Sequence, residues 1–149
     1  MKLIILAVAA VSLSLSACSQ DIPAAKVPSV VQNAVQTKFS NAVNIEWEKK
    51  KTGLYEAEFA INSTEYTAWL DATGKLVAYK LGIKENELPA IITSAITREH
   101  AGYRIDDADK IEKDGITYYQ VELDAKGKKD RNLVFSADGK MAPAVPYMH

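Results

Sequence analysis

The sequence predicts an α+β fold in which one helix-plus-sheet unit is used twice. Three observations predict it. An amphipathic helical pattern beginning at Pro28 recurs from Pro89. After each copy the apolar period falls from about 3.6 to 2, as it does when a helix gives way to half-buried strands. The strand-like runs are separated by short stretches rich in Gly, Asn and Asp, which are turn formers.

The helices come first. Pro28-Ser-Val-Val-Gln-Asn-Ala-Val-Gln-Thr-Lys-Phe-Ser-Asn41 aligns without gaps on Pro89-Ala-Ile-Ile-Thr-Ser-Ala-Ile-Thr-Arg-Glu-His-Ala-Gly102, 61 positions later. Val31, Ala34, Val35 and Phe39 form the apolar stripe of the first, and Ile92, Ala95 and Ile96 that of the second. Proline suits a first helical turn, where its missing N–H costs nothing. Asn41 and Gly102 suit the left-handed stop of a helix.

Strands follow. Ile45–Glu48 alternates apolar and charged residues. Leu54–Ile61 places Tyr55, Ala57, Phe59 and Ile61 on one face and Glu56 and Glu58 on the other. Glu65–Leu70 continues the pattern, with Tyr66, Ala68 and Leu70 inward, and Lys75–Lys80 is a fourth strand. Lys51–Gly53, Asn62-Ser63 and Asp71–Gly74 read as hairpin turns. The glycosylation sequon Asn62-Ser63-Thr64 is one of these turns.

The second copy repeats the order: Lys110–Lys113, the turn Asp114-Gly115, Ile116–Leu123, a lysine-rich hairpin from Lys126 to Arg131, then Asn132–Phe135. Ser136-Ala-Asp-Gly139 matches Asp71-Ala-Thr-Gly74 at an offset of 65. Each unit is small for a core of its own, so the two are expected to share one. The expected organisation is a first unit over 28–80, a joint over 81–88, and a second unit with a tail over 89–149.

Residues 1–17 stand apart. Met1-Lys2 is followed by an apolar run from Leu3 to Leu15 and by small residues before Cys18, the layout of a secretory signal. The run is too short to cross a bilayer as a helix. Leu15-Ser16-Ala17-Cys18 resembles the bacterial lipobox, in which the cysteine is acylated after cleavage. Cys18 is the only cysteine, so it has no disulfide partner within the chain, and lipidation would remove an exposed thiol. Acyl chains on Cys18 would hold the protein on a membrane, as a periplasm-facing lipoprotein of the cell envelope. Residues 18–27 read as a tether.

Pro-x-x-Val-x-x-Ala-Val-x-x-Lys-Phe39, Val43-Asn-Ile-Glu-Trp-Glu48, Tyr55-Glu-Ala-Glu-Phe59 and Asp71-x-x-Gly-Lys75 resemble the beta-lactamase-inhibitor-like, PepSY-like family of bacterial periplasmic proteins. The resemblance spans residues 28–141 and recurs in both halves. It implies tandem units, each one helix followed by a four-stranded antiparallel sheet, and no known activity. The inhibitor of that name resembles a disulfide-stapled protein, whereas this chain has no cysteine pair.

Composition narrows the function. The chain is 48% hydrophobic and 25% charged, with a net charge of −1, which is ordinary for a globular protein. It offers no basic surface for nucleic acid. Gly-x-Ser-x-Gly, His-Glu-x-x-His and glycine-rich phosphate loops are absent, and no cofactor is implied. His100 replaces Phe39 in the repeat and reads as a helix-end residue; His149 is the last. Asp106, Asp107 and Asp109 lack the spacing of a calcium loop and read as a solvated turn. Lys49–Lys51 and Lys126–Arg131 read as charged hairpin tips.

The sheet face opposite the core carries the candidate protein-binding residues Glu56, Glu58, Trp69, Tyr118 and Glu122. Exposed aromatics among polar residues offer contact area at low entropy cost. Cover by the neighbouring unit or by the tail is the competing expectation for Trp69. The sequence therefore points to a non-catalytic, membrane-tethered binding or regulatory module, with an envelope protein as its candidate partner. An inhibitor or folding partner of an exported peptidase or hydrolase is the alternative. An enzyme using Glu56 with Glu58 is the third class.

Overall fold

A computed structural model describes residues 20–149; the signal sequence and Cys18 lie outside the described residues. Two ten-residue helices, α1 (Ser29–Lys38) and α2 (Ala90–Glu99), accompany eight strands. These are β1 (Gln20–Asp21), β2 (Val43–Lys49), β3 (Tyr55–Ile61), β4 (Thr64–Leu70), β5 (Leu76–Gly82), β6 (Arg104–Lys113), β7 (Ile116–Asp124) and β8 (Arg131–Ser136). Pro28 and Pro89 cap the helices rather than entering them, and Phe39 and His100 end them by donating N–H to Val35 O and Ile96 O. Gly102 takes the left-handed conformation, whereas the positive φ near the end of α1 falls on Asn44, at a bulge in β2, and not on Asn41.

The strands form one antiparallel sheet in sequence order, β1 to β8. This corrects the expectation of two four-stranded sheets. The β5–β6 ladder, from Ala78 opposite Lys113 to Gly82 opposite Asp109, fuses the units. The second unit stops at three strands, and beyond the Ser136–Gly139 turn only a single bridge, Phe135 to Met141, remains. Asn62-Ser63 and Asp114-Gly115 both have paired positive φ values, the backbone of two-residue hairpins whose twist matches the strands.

Three boundaries differ from expectation. The described part of the 18–27 stretch is docked: β1 pairs with Glu48 and Lys49, and Val27 is buried in the first core. Leu81 and Gly82 belong to β5, so the joint is shorter than 81–88. Asp106, Asp107 and Asp109 lie within β6, not in a turn.

Under α1, Val31, Val35 and Phe39 pack on Trp47, Tyr55, Ala57, Phe59, Ala68 and Leu70. Under α2, Ile92, Ala95 and Ile96 pack on Ala108, Val121, Leu123 and Phe135. These are two clusters side by side, where one shared core was expected. Tyr79 of the first core pairs with Glu112, which by alternation shares a face with Ala108 of the second. Both helices therefore cover the same face of the sheet.

Candidate protein-binding face

Strand alternation sends every second residue to the other, helix-free face. Register aligns Glu56 with Trp69 and Glu58 with Thr67 across β3 and β4. It aligns Tyr118 with Ile111, and Glu122 with Asp107, across β6 and β7. The five candidate residues thus share the outer face of a continuous sheet, as their spacing predicted. Their exposures differ. Glu58 is exposed, Tyr118 and Glu122 are half-buried, and Trp69 and Glu56 are only 6% and 2% exposed.

Trp69 is therefore not the exposed aromatic that alternation alone suggested. Its indole Nε1 donates to Glu56 Oε2. Lys50 Nζ lies 2.8 Å from Glu56 Oε1 and 2.5 Å from Glu48 Oε2. A buried carboxylate needs such partners, because removing charge from water costs several kcal/mol (order of magnitude) when it is uncompensated. Burial pushes the Glu56 carboxyl above its ordinary value, and the neighbouring Glu48 adds to this against the pull of Lys50 and Trp69. Burial also acts to raise Glu48, yet its hydrogen bonds with Lys50 and Glu56 outweigh that and hold it below its ordinary value. Lys50, which reads in the sequence as part of a solvated tip, is a structural counter-ion.

Apolar residues on this face are also covered. Ala78, Ile111 and Val134 are buried there, with Thr67, Asp109 and Gln120 beside them. Residues 142–149 supply part of the cover: Ala142 N–H donates to Val134 O, and Met148 bonds to Gln120 and Lys80. What stays open is a groove of about 420 Å³ lined by Glu46, Glu58, Glu65, Thr67, Lys80, Asp107 and Asp109. A second groove, of about 660 Å³, runs between β2 and the 21–24 stretch and shares Glu46 and Glu58. Both are dominated by carboxylates. Alternation along the second unit places Gln120 on this face with Tyr118 and Glu122. Lys80 was not singled out, though the same parity places it here, and the clustered acids of 106–109 read as a turn and hid the place of Asp109.

Elsewhere the second unit makes a basic corner. Arg131 Nη1 lies 3.3 Å from His100 Nδ1, and Lys128 Nζ and the Arg131 guanidinium sit 5.0 and 4.9 Å from the Tyr103 ring centre. Among the described residues, no cluster of His, Cys, Asp and Glu is arranged to hold a metal ion. None of the described helices is long and apolar enough to cross a membrane.

The helices thus cover one face of a meandering sheet, and the other face carries an acid-lined groove. The chain belongs to the family described as "Putative beta-lactamase-inhibitor-like, PepSY-like", which it matches over residues 15–77 and again over 53–142. The two matches fit the tandem repeat. Among solved structures it is similar to a BLIP-like protein from Bacteroides fragilis, at 24% identity and a TM-score of 0.66, over 76% of this chain and 82% of that one. It is also similar to a DUF2874 family protein from Bacteroides uniformis, at 19% identity and a TM-score of 0.70, over 76% and 85%. A "putative periplasmic" protein from Bacteroides eggerthii aligns at 17% identity and a TM-score of 0.71, over 77% and 85%. These likenesses share the fold. No match is found among curated proteins.

Proposed function

We propose that the protein is a non-catalytic binding module of the cell envelope, held on a membrane through lipid on Cys18, whose outer sheet face takes an envelope protein. The observation that carries this reading is the asymmetry of the sheet. Both helices pack on one face; the other opens into adjoining grooves lined by the exposed Glu58, and it also carries the half-buried Tyr118 and Glu122. Glu56, which with Glu58 would form the carboxylate pair of an enzyme, is engaged with Lys50 and Trp69, which supports binding over acid–base chemistry. The periplasmic description of the B. eggerthii neighbour supports the location.

Immobilised protein should capture an envelope protein from membrane extracts, and Glu58→Lys with Glu122→Lys should weaken that capture by about tenfold or more. Surface changes of this kind leave melting nearly unaltered, within about 0.5 kcal/mol. A reversed-charge variant that melts normally and keeps every partner removes the face from consideration. Cys18→Ser should release the protein into the soluble fraction or stall its processing; an unacylated Cys18 in the wild-type mass spectrum refutes the tether. The inhibitor reading is supported by the family description and the BLIP-like neighbour. It requires that the captured protein lose hydrolytic activity when bound.

A further inference from the structure

The outer face already holds a peptide segment of the chain itself. After the bridge to Phe135, residues 142–149 leave the edge strand β8 and run over the face toward β5. They end in a clamp. Gln120, fully buried, donates from Nε2 to Met148 O at 2.8 Å and accepts at Oε1 from Met148 N–H at 2.9 Å. Antiparallel strands make this two-bond pairing with an opposite residue; here a side chain makes it. The same Nε2 donates to Asp109 Oδ2 at 2.7 Å, which fixes the amide orientation. Lys80 Nζ donates to Met148 O at 3.0 Å and lies 3.4 Å from Asp109 Oδ2. Lys80 of β5 and Gln120 of β7 thus bond the main chain of a single residue, and Asp109 of β6 holds both of those side chains in place.

The clamped segment differs from a core element. Every residue from Met141 to His149 is exposed or half-buried, whereas Gln120 and Asp109 beneath it are buried. A prebuilt polar cradle under a lightly buried strip is the arrangement of a receptor and its ligand. Pro143 lies in a turn closed by Val145 N–H donating to Ala142 O, and Pro146 follows it; both rings fix φ, so less chain entropy is lost on seating. The hydrogen bonds go to main-chain atoms, so the clamp accepts any residue that has an N–H. Selectivity falls to the neighbours. Tyr147 sits half-buried in the field of Asp109, Glu122 and Asp107, and the strip from Met141 to Met148 carries no acid.

We propose that Lys80, Asp109 and Gln120 form a peptide-binding site which the chain's own residues 142–149 occupy, and which takes in trans a non-acidic segment of a partner protein bearing an aromatic residue just before the clamped one. The resident segment is then autoinhibitory. This rests on the outer face being the binding face, and it names the chemistry recognised there.

The test compares the full chain with one ending at Met141, using an amidated synthetic peptide of residues 141–149 as probe. The shortened chain should melt cooperatively and bind the peptide saturably, and the full chain should bind it at least tenfold more weakly. A peptide with proline in place of Met148 lacks the N–H and should bind the shortened chain at least tenfold more weakly. Three results overturn the proposal: a shortened chain that does not fold, equal binding by both chains, or equal binding of the proline peptide. Concentration-dependent dimers of the full chain that vanish on shortening would assign the site to a second copy and overturn the partner in trans. Envelope capture is read on the same two chains. Capture without peptide binding sinks the clamp and spares the binding module; peptide binding without capture does the reverse.

Discussion

Two turns of nearly the same build lead to different ends. In the first unit, Gly74 N–H donates to Asp71 O and Asp71 N–H to Lys75 O, both at 3.0 Å. In the second, Gly139 N–H donates to Ser136 O and Ser136 N–H to Lys140 O, both at 2.9 Å. After Lys75 the chain becomes β5, which pairs on both edges and joins the units. After Lys140 it bridges once, at Met141, and turns over the outer face. Pro143 and Pro146 stand at the positions of Ala78 and Leu81 under the 65-residue offset. Proline has no N–H for a ladder and is confined to edges and irregular stretches. The turn does not decide whether a strand follows; the supply of donors after it does.

The cores diverge in the same way. Phe39, Phe59, Tyr66 and Tyr79 form one aromatic cluster, with Phe59 stacked on Tyr66 at 5.6 Å and Phe39 against both. The equivalent strand pair in the second unit is Leu123 opposite Arg131, and His100 replaces Phe39. The ring cluster has given way to a largely aliphatic core that keeps one buried ring, Phe135, and has a polar rim. Phe59→Ala should therefore produce the largest loss, about 3–5 kcal/mol, and Leu123→Ala about 2–4 kcal/mol. Chemical denaturation of both variants measures the difference. If Leu123→Ala costs as much as Phe59→Ala or more, the aromatic cluster is not the stronger half.

A smaller contrast lies in the turns themselves. Gly74 and Gly139 have φ of 85° and 81°. A Cβ on Gly74 would stand 2.8 Å from the Val30 backbone carbonyl oxygen; one on Gly139 would stand 2.8 Å from Ile91 Cγ1. A left-handed alanine costs about 1–2 kcal/mol in either place. The backbone of α1 yields less than an isoleucine side chain, so Gly74→Ala should lose about 2–3 kcal/mol and Gly139→Ala about 1–2 kcal/mol. Equal losses in thermal melts would show that the helix backbone moves as freely as the Ile91 side chain.

Much of this was legible in residue patterns. The two helices, the seven long strands and the faces of Glu56, Glu58, Tyr118 and Glu122 follow from period and turn chemistry. The fusion into one sheet was not legible, because a strand that pairs on one edge reads like a strand that pairs on two. Nor was the burial of Trp69 and Glu56. Alternation assigns a face but not how deeply a residue sits in it, and the partners of Glu56 come from the paired strand and from the β2–β3 hairpin. Asp109 was misplaced because a run of acids has the composition of a turn even when a sheet absorbs it. Pro143 and Pro146 could have marked the last segment as no strand, although four strands were expected in the second unit; its docking on Gln120 depends on geometry that no local pattern records.

The final contrast is between β5, held by two ladders, and the segment 142–149, held by its clamp. Burial, then the nearby Asp109, Glu122 and Asp107, push the Tyr147 phenol up to about 12. A released segment would return it to about 10. Because the seated value lies above the free one, the phenol's contribution to seating is complete below pH 10 and is lost as pH rises from 10 toward 12. Over that window Tyr147 should ionise as the segment lifts, seen as phenolate absorbance rising together with a shift of the Met148 methyl resonance. The amide signals of β5 should persist at pH values where the Met148 signal has already moved. Tyr147→Phe removes the titrating group and should carry the seated Met148 signal to higher pH. If wild type and Tyr147→Phe lose that signal over the same range, ionisation of Tyr147 is not what lifts the segment. If β5 and Met148 are lost together, the segment is as integral to the fold as the strand it replaces.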